Sequence, residues 1–367
     1  MRTLALALAL GAGSAQAQTE IAWWHSMGGA LGEQLNALAA KFNQGQKEYK
    51  VVPVYKGTYP ESMTAAIAAF RAGNAPHILQ VFEVGTATMM AAKGAIVPVT
   101  KLMADANEPF EPKAYLPTVS GYYTDVKGNM LSFPFNSSTV MFYINRDAFR
   151  KAGLEPQAPK TWKEFQAAAE KLKSAGQQCV YTTSWPSWTH IENFSAWHNV
   201  PIGTKANGLD GFDTELKFNS PLHLKHLQNL IDLQKDKTYD YAGRANAGEA
   251  RFGSGECAIF LTSSGYYGTA KGTAKFDVKG APQNSIIGGA SLWVMGGKKP
   301  QEYKGVAKFF AFLSRPETQM DWHTGTGYVP ITLASYELTR KSGYYDKNPG
   351  TDMPVKQLTY KPPTPNS

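Results

Sequence analysis

Two hydrophobic periodicities alternate through the early part of the chain, and this alternation restricts the fold more than any other feature. Glu20 to Trp24 has strand character, His25-Ser26-Met27-Gly28-Gly29 breaks it, and Leu31, Leu35, Leu38 and Phe42 then recur at helical spacing. Val51 to Tyr55 predicts a second strand, and Met63, Ile67 and Phe70 mark the apolar face of a second helix. After the turn at Ala75-Pro76, Ile78 to Phe82 predicts a third strand. Strands and helices alternating at this spacing call for an α/β layer of largely parallel strands. Ligands of such sheets sit beyond the carboxyl ends of the strands, and Glu83 follows the third strand at such an end.

The pattern then resumes as a second α/β unit. Thr139 to Ile144 is a β-branched and aromatic run, followed by helices around Asp147–Lys151 and Trp162–Leu172 and a strand through Cys179-Val180-Tyr181. Leu224, Leu227, Ile231 and Leu233 mark a helix, and Cys257 to Leu261 a strand. Ile286 to Met295 is strand-like, and Val306 to Phe312 is a helix before the loop Gly325-Thr326-Gly327-Tyr328. A chain of 367 residues has room for two domains. At 43% hydrophobic and 18% charged residues its composition is that of an ordinary globular protein, which excludes disordered and fibrous classes.

The start has the layout of a secretory signal: Arg2, an apolar run from Leu4 to Leu10 too short to cross a bilayer, then Ala15-Gln16-Ala17. A signal peptide over residues 1–17 and export to the periplasm are expected, with no Cys after the cleavage point to carry a lipid. In an exported chain Cys179 and Cys257 are free to bridge. Two buried free thiols fit the sequence as well, because geometry decides. Lys and Arg number 37 against 29 Asp and Glu, a formal charge of +8. The basic residues are scattered rather than clustered, which disfavours nucleic acid as a partner.

Enzyme signatures fail in turn. Gly28-Gly29-x-x-Gly32 lacks both a Lys-Ser/Thr ending and full dinucleotide spacing, and reads as a turn feeding a helix. Of seven histidines only His223 and His226 approach ligand spacing, without a nearby carboxylate or thiol, and an exposed helix face is expected for them. No catalytic residue, metal or cofactor is assigned. Aromatic and hydroxyl residues do recur in loops: Tyr59, Trp185-Pro186-Ser187-Trp188, Ser263-Ser264-Gly265-Tyr266-Tyr267 and the loop ending at Tyr328. Aromatic faces cover the carbons of a polyol, while hydroxyls and backbone N–H groups hold its hydroxyls or phosphate oxygens.

Three stretches resemble the extracytoplasmic solute-binding receptors of ABC importers: Gly73-Asn74-Ala75-Pro76-His77-Ile78-Leu79-Gln80, Tyr143-Ile144-Asn145-Arg146-Asp147-Ala148-Phe149, and Lys151-Ala152-Gly153-Leu154 with Pro159-Lys160-Thr161-Trp162-Lys163-Glu164-Phe165. Within that family the chain is similar to the receptors for glycerol 3-phosphate. Tyr55-Lys56-Gly57-Thr58-Tyr59, the run from Val81 to Met90, Phe135-Asn136-Ser137-Ser138-Thr139, Glu192 to Trp197 and Lys279 to Met295 carry this. The resemblance implies a two-lobed, maltose-receptor-like (type II) periplasmic binding protein fold with a ligand cleft between lobes, closing about a hinge. It divides the chain into a first lobe of residues 18–133 plus 283–320 and a second of residues 134–282 plus 321–367. Matching positions assign Tyr59, Glu83, Ser138, Trp185, Ser263, Ser264, Gly289 and Tyr328 to the ligand. The chain is expected to act as a monomer that binds glycerol 3-phosphate, and glycerophosphodiesters such as glycerophosphocholine, and hands them to the membrane subunits of an importer. A maltose-like oligosaccharide is the alternative ligand, and an exported phosphodiester hydrolase the alternative class. Relatives carry a crossing strand between the Ser-Ser-Gly loop and the Lys-Gly-Ala-Pro match, where here Ala274 to Asp277 runs directly into Val278. They also continue beyond the Lys-Pro-Pro match into a segment bearing a phosphate-binding arginine, so the second lobe is expected to be truncated at Ser367.

Overall fold

The computed structural model describes residues 18–359 apart from 93, 126 and 212. The signal assigned to residues 1–17 and the last eight residues lie outside it. Nine strands form one sheet: β1 (Thr19–His25), β2 (Tyr49–Tyr55), β3 (Ile78–Phe82), β4 (Ile96–Val97), β5 (Phe133–Asn145), β6 (Cys179–Thr183), β7 (Tyr239–Asp240), β8 (Cys257–Ser263) and β9 (Val278–Met295). Their order is β2-β1-β3-β9-β5-β8-β6-β7, with β4 beside β9. β1 runs parallel to both β2 and β3, and β6 runs parallel to both β7 and β8. Between these two parallel groups lies the antiparallel pair β5 and β9. No helix among the described residues is long and apolar enough to cross a membrane.

The central pair joins the groups. β5 is buried along its whole length, and its alternate side chains serve opposite faces. Val140, Phe142 and Ile144 enter one core, Met141 and Tyr143 another. A strand covered on both faces reads as an unbroken apolar run, which is why Thr139 to Ile144 shows no polar alternation. β9 pairs with β5 from Asn145↔Val278 at one end to Phe133↔Leu292 at the other. It therefore makes the return crossing directly from Asp277, without a separate strand. Two register shifts, between Pro134 and Asn136 and between Thr139 and Met141, bracket the middle of the pair. Such bulges bend a ladder and re-aim side chains.

Each parallel group has helices packed on it. Helices α1 (Gly29–Gln44) and Pro300–Leu313 cover one face of the first, where Trp23, Phe42, Phe133 and Phe309 share a core. On the other face α2 (Tyr59–Arg71) meets Leu79, Val81 and Trp293. Residues Trp322, Val329 and Ile331 also belong to the first of these cores. In the second group Phe165, Leu172, Val180, Leu230 and Ile259 pack together. Burying a side chain of this size contributes roughly 1.5–3 kcal/mol.

Two helix faces differ from the sequence reading. Ile67 and Phe70 are exposed, and α2 packs instead through Met63 and the small residues Ser62 and Ala66, which let its backbone approach β3. In helix Pro221–Lys235 the buried positions are His223, Leu230 and Leu233, whereas Leu224 and Ile231 lie outside. His223 is thus not a surface histidine. Its two ring nitrogens meet Ser195 Oγ at 2.8 Å and Ser220 Oγ at 2.7 Å, so a polar ring is buried with both nitrogens partnered. Cys179 and Cys257 are opposite each other on β6 and β8, Cα atoms 4.4 Å apart, and form a disulfide.

Candidate functional site

A cavity of about 520 Å³ opens where the two parallel groups face each other. From the first group it is walled by elements that follow strands: Ser26 to Leu31 after β1, Tyr55 at the end of β2, and Phe82 and Glu83 at the end of β3. Thr58 and Tyr59 come from the start of α2. The second group contributes Trp185 and Trp188 after β6, Asn246 and Glu249, and Ser263 at the end of β8. Ser138 and Gly289 form the floor on the crossing strands, and Tyr328 closes one side. Seven of the eight residues assigned from the sequence therefore face one space.

Ser264 does not. Successive residues at a strand end point to opposite sides, so Ser263 faces the cavity and Ser264 is buried behind it, its hydroxyl accepting from the Thr139 N–H at 3.4 Å. It borders a different cavity, beside Tyr143, Arg146 and Lys279. Among the described residues, the one group of metal-ligating types gathered closely is Cys179, Asp240 and Cys257, and both its sulfurs are in the disulfide.

A hydrogen-bond chain fixes the floor. Gln80 on β3 accepts from the Ser26 N–H at 2.9 Å and donates to Asn136 Oδ1 at 2.9 Å, and Asn136 Nδ2 donates to the Tyr59 hydroxyl at 3.2 Å. Gln80, Asn136 and Ser26 thus tie the loop after β1 to the crossing strand and to α2. Gly289 is required here. Its φ is +96°, and a Cβ would lie 1.9 Å from the Asn136 carbonyl oxygen. The Gly289 backbone lies near enough to Glu83 to favour its charged form, while the Tyr122 hydroxyl donates to the Glu83 main-chain oxygen at 3.0 Å.

Glu83 is buried, and burial raises its carboxyl to about 8, with the nearby Glu192 adding to the effect and the Gly289 N–H opposing it. Burial also raises Glu192 and Glu249 to about 7. Burial thus favours the protonated form of Glu83, in which the carboxyl is both donor and acceptor. The aromatic wall is built as firmly. Tyr59 stacks on Phe82 with ring centroids 5.2 Å apart and lies 6.3 Å from Trp185. Trp185 holds a left-handed backbone, φ +54°, rare for a bulky residue, and its N–H donates to the Ala245 carbonyl at 2.8 Å. Strain of this kind persists only where the surroundings impose it. Trp188 donates to the Ile287 carbonyl and packs on Gly288, where a Cβ would meet its ring at 2.3 Å.

Residues 37–351 match the family of bacterial extracellular solute-binding proteins. An sn-glycerol-3-phosphate-binding periplasmic protein of Yersinia enterocolitica is 54% identical over 95% of this chain and 82% of its own length. This chain belongs to the bacterial extracellular solute-binding proteins. The protein of the same description from Salmonella typhimurium is 52% identical over the same shares. In fold, UgpB from Mycobacterium tuberculosis, solved in complex with glycerophosphocholine, superposes with a TM-score of 0.81 at 19% identity, covering 94% of this chain and 87% of that one. Maltose-bound MalE3 of T. maritima gives 0.75 at 18% identity, covering 95% and 90%. The two-lobed, maltose-receptor-like architecture is thus that of this family.

The resemblance did not reach every cleft residue. A glutamine inside the apolar run Ile78 to Phe82 is a visible signal that Gln80 has a polar partner. Nothing local marks Asn246 or Glu249, which meet the cleft only through the return of the chain after β7.

Proposed function

We propose that this protein is a periplasmic receptor for sn-glycerol 3-phosphate and its diesters, glycerophosphocholine among them, which it delivers unchanged to an ABC importer. One observation carries the reading: Tyr59, Glu83, Ser138, Trp185, Ser263, Gly289 and Tyr328, scattered over the chain, line one cavity. Relatives at 52–54% identity that are described as binding sn-glycerol 3-phosphate support the choice of ligand. In this reading Glu83 and Ser138 hold glycerol hydroxyls, Trp185 covers the carbons, and Ser263 and Tyr328 donate to phosphate oxygens. The bridge between lobes made by β5 and β9 supports closure about a hinge and a division into two lobes. The packing of Trp322 to Ile331 with first-lobe residues favours placing that stretch in the first lobe. Arg2, the apolar run from Leu4 to Leu10 and Ala15-Gln16-Ala17 support export, with residues 1–17 as the signal.

A thermal-shift panel tests the proposal. Glycerol 3-phosphate and glycerophosphocholine should each raise the melting midpoint, by about 2.7 kcal/mol of stabilisation at a hundredfold excess over Kd, and maltose should not. A shift with maltose alone would replace this reading by a sugar receptor. Mass spectrometry of the recovered ligand should find it unaltered, and cleaved product would point to a hydrolase.

A further inference from the structure

The cleft has more room than glycerol 3-phosphate fills, and carboxyls line it. At about 520 Å³ it is sized for a ligand of drug-like dimensions, and the glycerol and phosphate fill only a fraction. Two carboxyls, Glu83 and Glu249, line it, and among the described lining residues there is no Lys, Arg or His. Tyr328 lies within electrostatic reach of both carboxyls, between the glycerol side and the Glu249 side.

Glu249 is tied to the aromatic wall. It begins helix Glu249–Gly253, its N–H donates to the Asn246 carbonyl at 3.0 Å, and its main-chain oxygen accepts from the Tyr266 hydroxyl at 3.4 Å. The stretch before it is fastened to Trp185 through the bond from the Trp185 N–H to Ala245. Trp185 and Trp188 line the same space. Indole rings and a carboxylate lining one cavity each attract a desolvated cation, the rings through their quadrupole and the carboxylate through its charge. Burial raises this carboxyl to about 7, a penalty that a bound cation offsets.

We propose that Glu249, with Trp185 and Trp188, forms a cation subsite that makes the cleft prefer glycerophosphodiesters whose second alcohol carries a positively charged nitrogen. The proposal rests on the receptor reading above and goes further by naming the side chain that discriminates among diesters. Calorimetry on the full chain with glycerophosphocholine, glycerophosphoethanolamine and the uncharged-alcohol diester glycerophosphoglycerol tests it, using wild type and Glu249→Gln. Wild type should bind the two nitrogen-bearing diesters on the order of tenfold more tightly than glycerophosphoglycerol, the scale of a desolvated cation–π contact with a charge partner. Glu249→Gln should bring that ratio close to one, while Glu249→Asp should keep part of it. A ratio of one in wild type, or a ratio unmoved in Glu249→Gln, overturns the subsite while leaving the receptor reading standing. No binding of any diester or of glycerol 3-phosphate by folded wild type overturns both.

Discussion

A Cβ at Gly289 would meet the main-chain oxygen of Asn136 at 1.9 Å, and because the obstacle is backbone no rotamer change relieves it. Gly73 makes a contrast: its φ is also positive, +76°, but a Cβ there meets nothing within 4 Å. Gly73→Ala should therefore cost only the backbone term of about 1–2 kcal/mol, whereas Gly289→Ala should cost roughly 3 kcal/mol or more and remove the ligand response. Urea denaturation of the two variants checks this, and equal costs would contradict it. Glu83 makes a prediction about pH. Its carboxyl is raised from 4.5 to about 8 in the folded state, so the folded protein holds this proton more tightly than the unfolded chain. The resulting stability is complete below pH 4.5 and is lost as pH rises through 8. The melting midpoint of ligand-free protein should fall between pH 5 and 8.5, with Glu192 and Glu249 acting in the same direction. Glu83→Gln should make that fall shallower. Parallel curves for the two proteins would show that the buried carboxyl is not the cause.

Among the elements, β6 and β8 are fastened by the disulfide between Cys179 and Cys257, which closes a loop of 78 residues around helix Pro221–Lys235 and the stretch leading to Glu249. Replacing both cysteines by serine should lower stability by about 2–4 kcal/mol, since the open chain regains loop entropy in the unfolded state. Guanidinium unfolding of the variant and of reduced wild type should agree, and an unchanged midpoint would count against this account. The strands were readable because their apolar runs are short and bounded by turn residues, and β3, β6 and β8 stand where those runs stand. Helix faces were less readable. On α2 the small side chains of Ser62 and Ala66 pack while Ile67 and Phe70 stay outside, and on Pro221–Lys235 a hydrogen-bonded histidine occupies the core face. A hydrophobicity pattern does not reveal close approach by small residues or a polar group with both partners supplied by distant serines.

For the whole molecule, a strand end marked Glu83 and aromatic loops marked Tyr59, Trp185, Ser263 and Tyr328, but that they meet in one cleft was legible only through resemblance. Its parts come from Ser26 at one extreme to Tyr328 at the other, and no spacing rule joins a loop after β1 to the end of β8. What folds them together is the pair β5 and β9, whose register sets Ser138 against Gly288 and Ser137 against Gly289, between the two groups of parallel strands. With these strands as a bridge, the lobes should close around ligand, and small-angle X-ray scattering should give a smaller radius of gyration with glycerophosphocholine than without. An identical radius would mean that binding is not coupled to closure. The central claim is tested most directly by isothermal titration of refolded, ligand-stripped protein with glycerol 3-phosphate and glycerophosphocholine. The account predicts saturable binding of both at a stoichiometry near one, abolished in Gly289→Ala, and folded wild-type protein that gives no heat with either would contradict it.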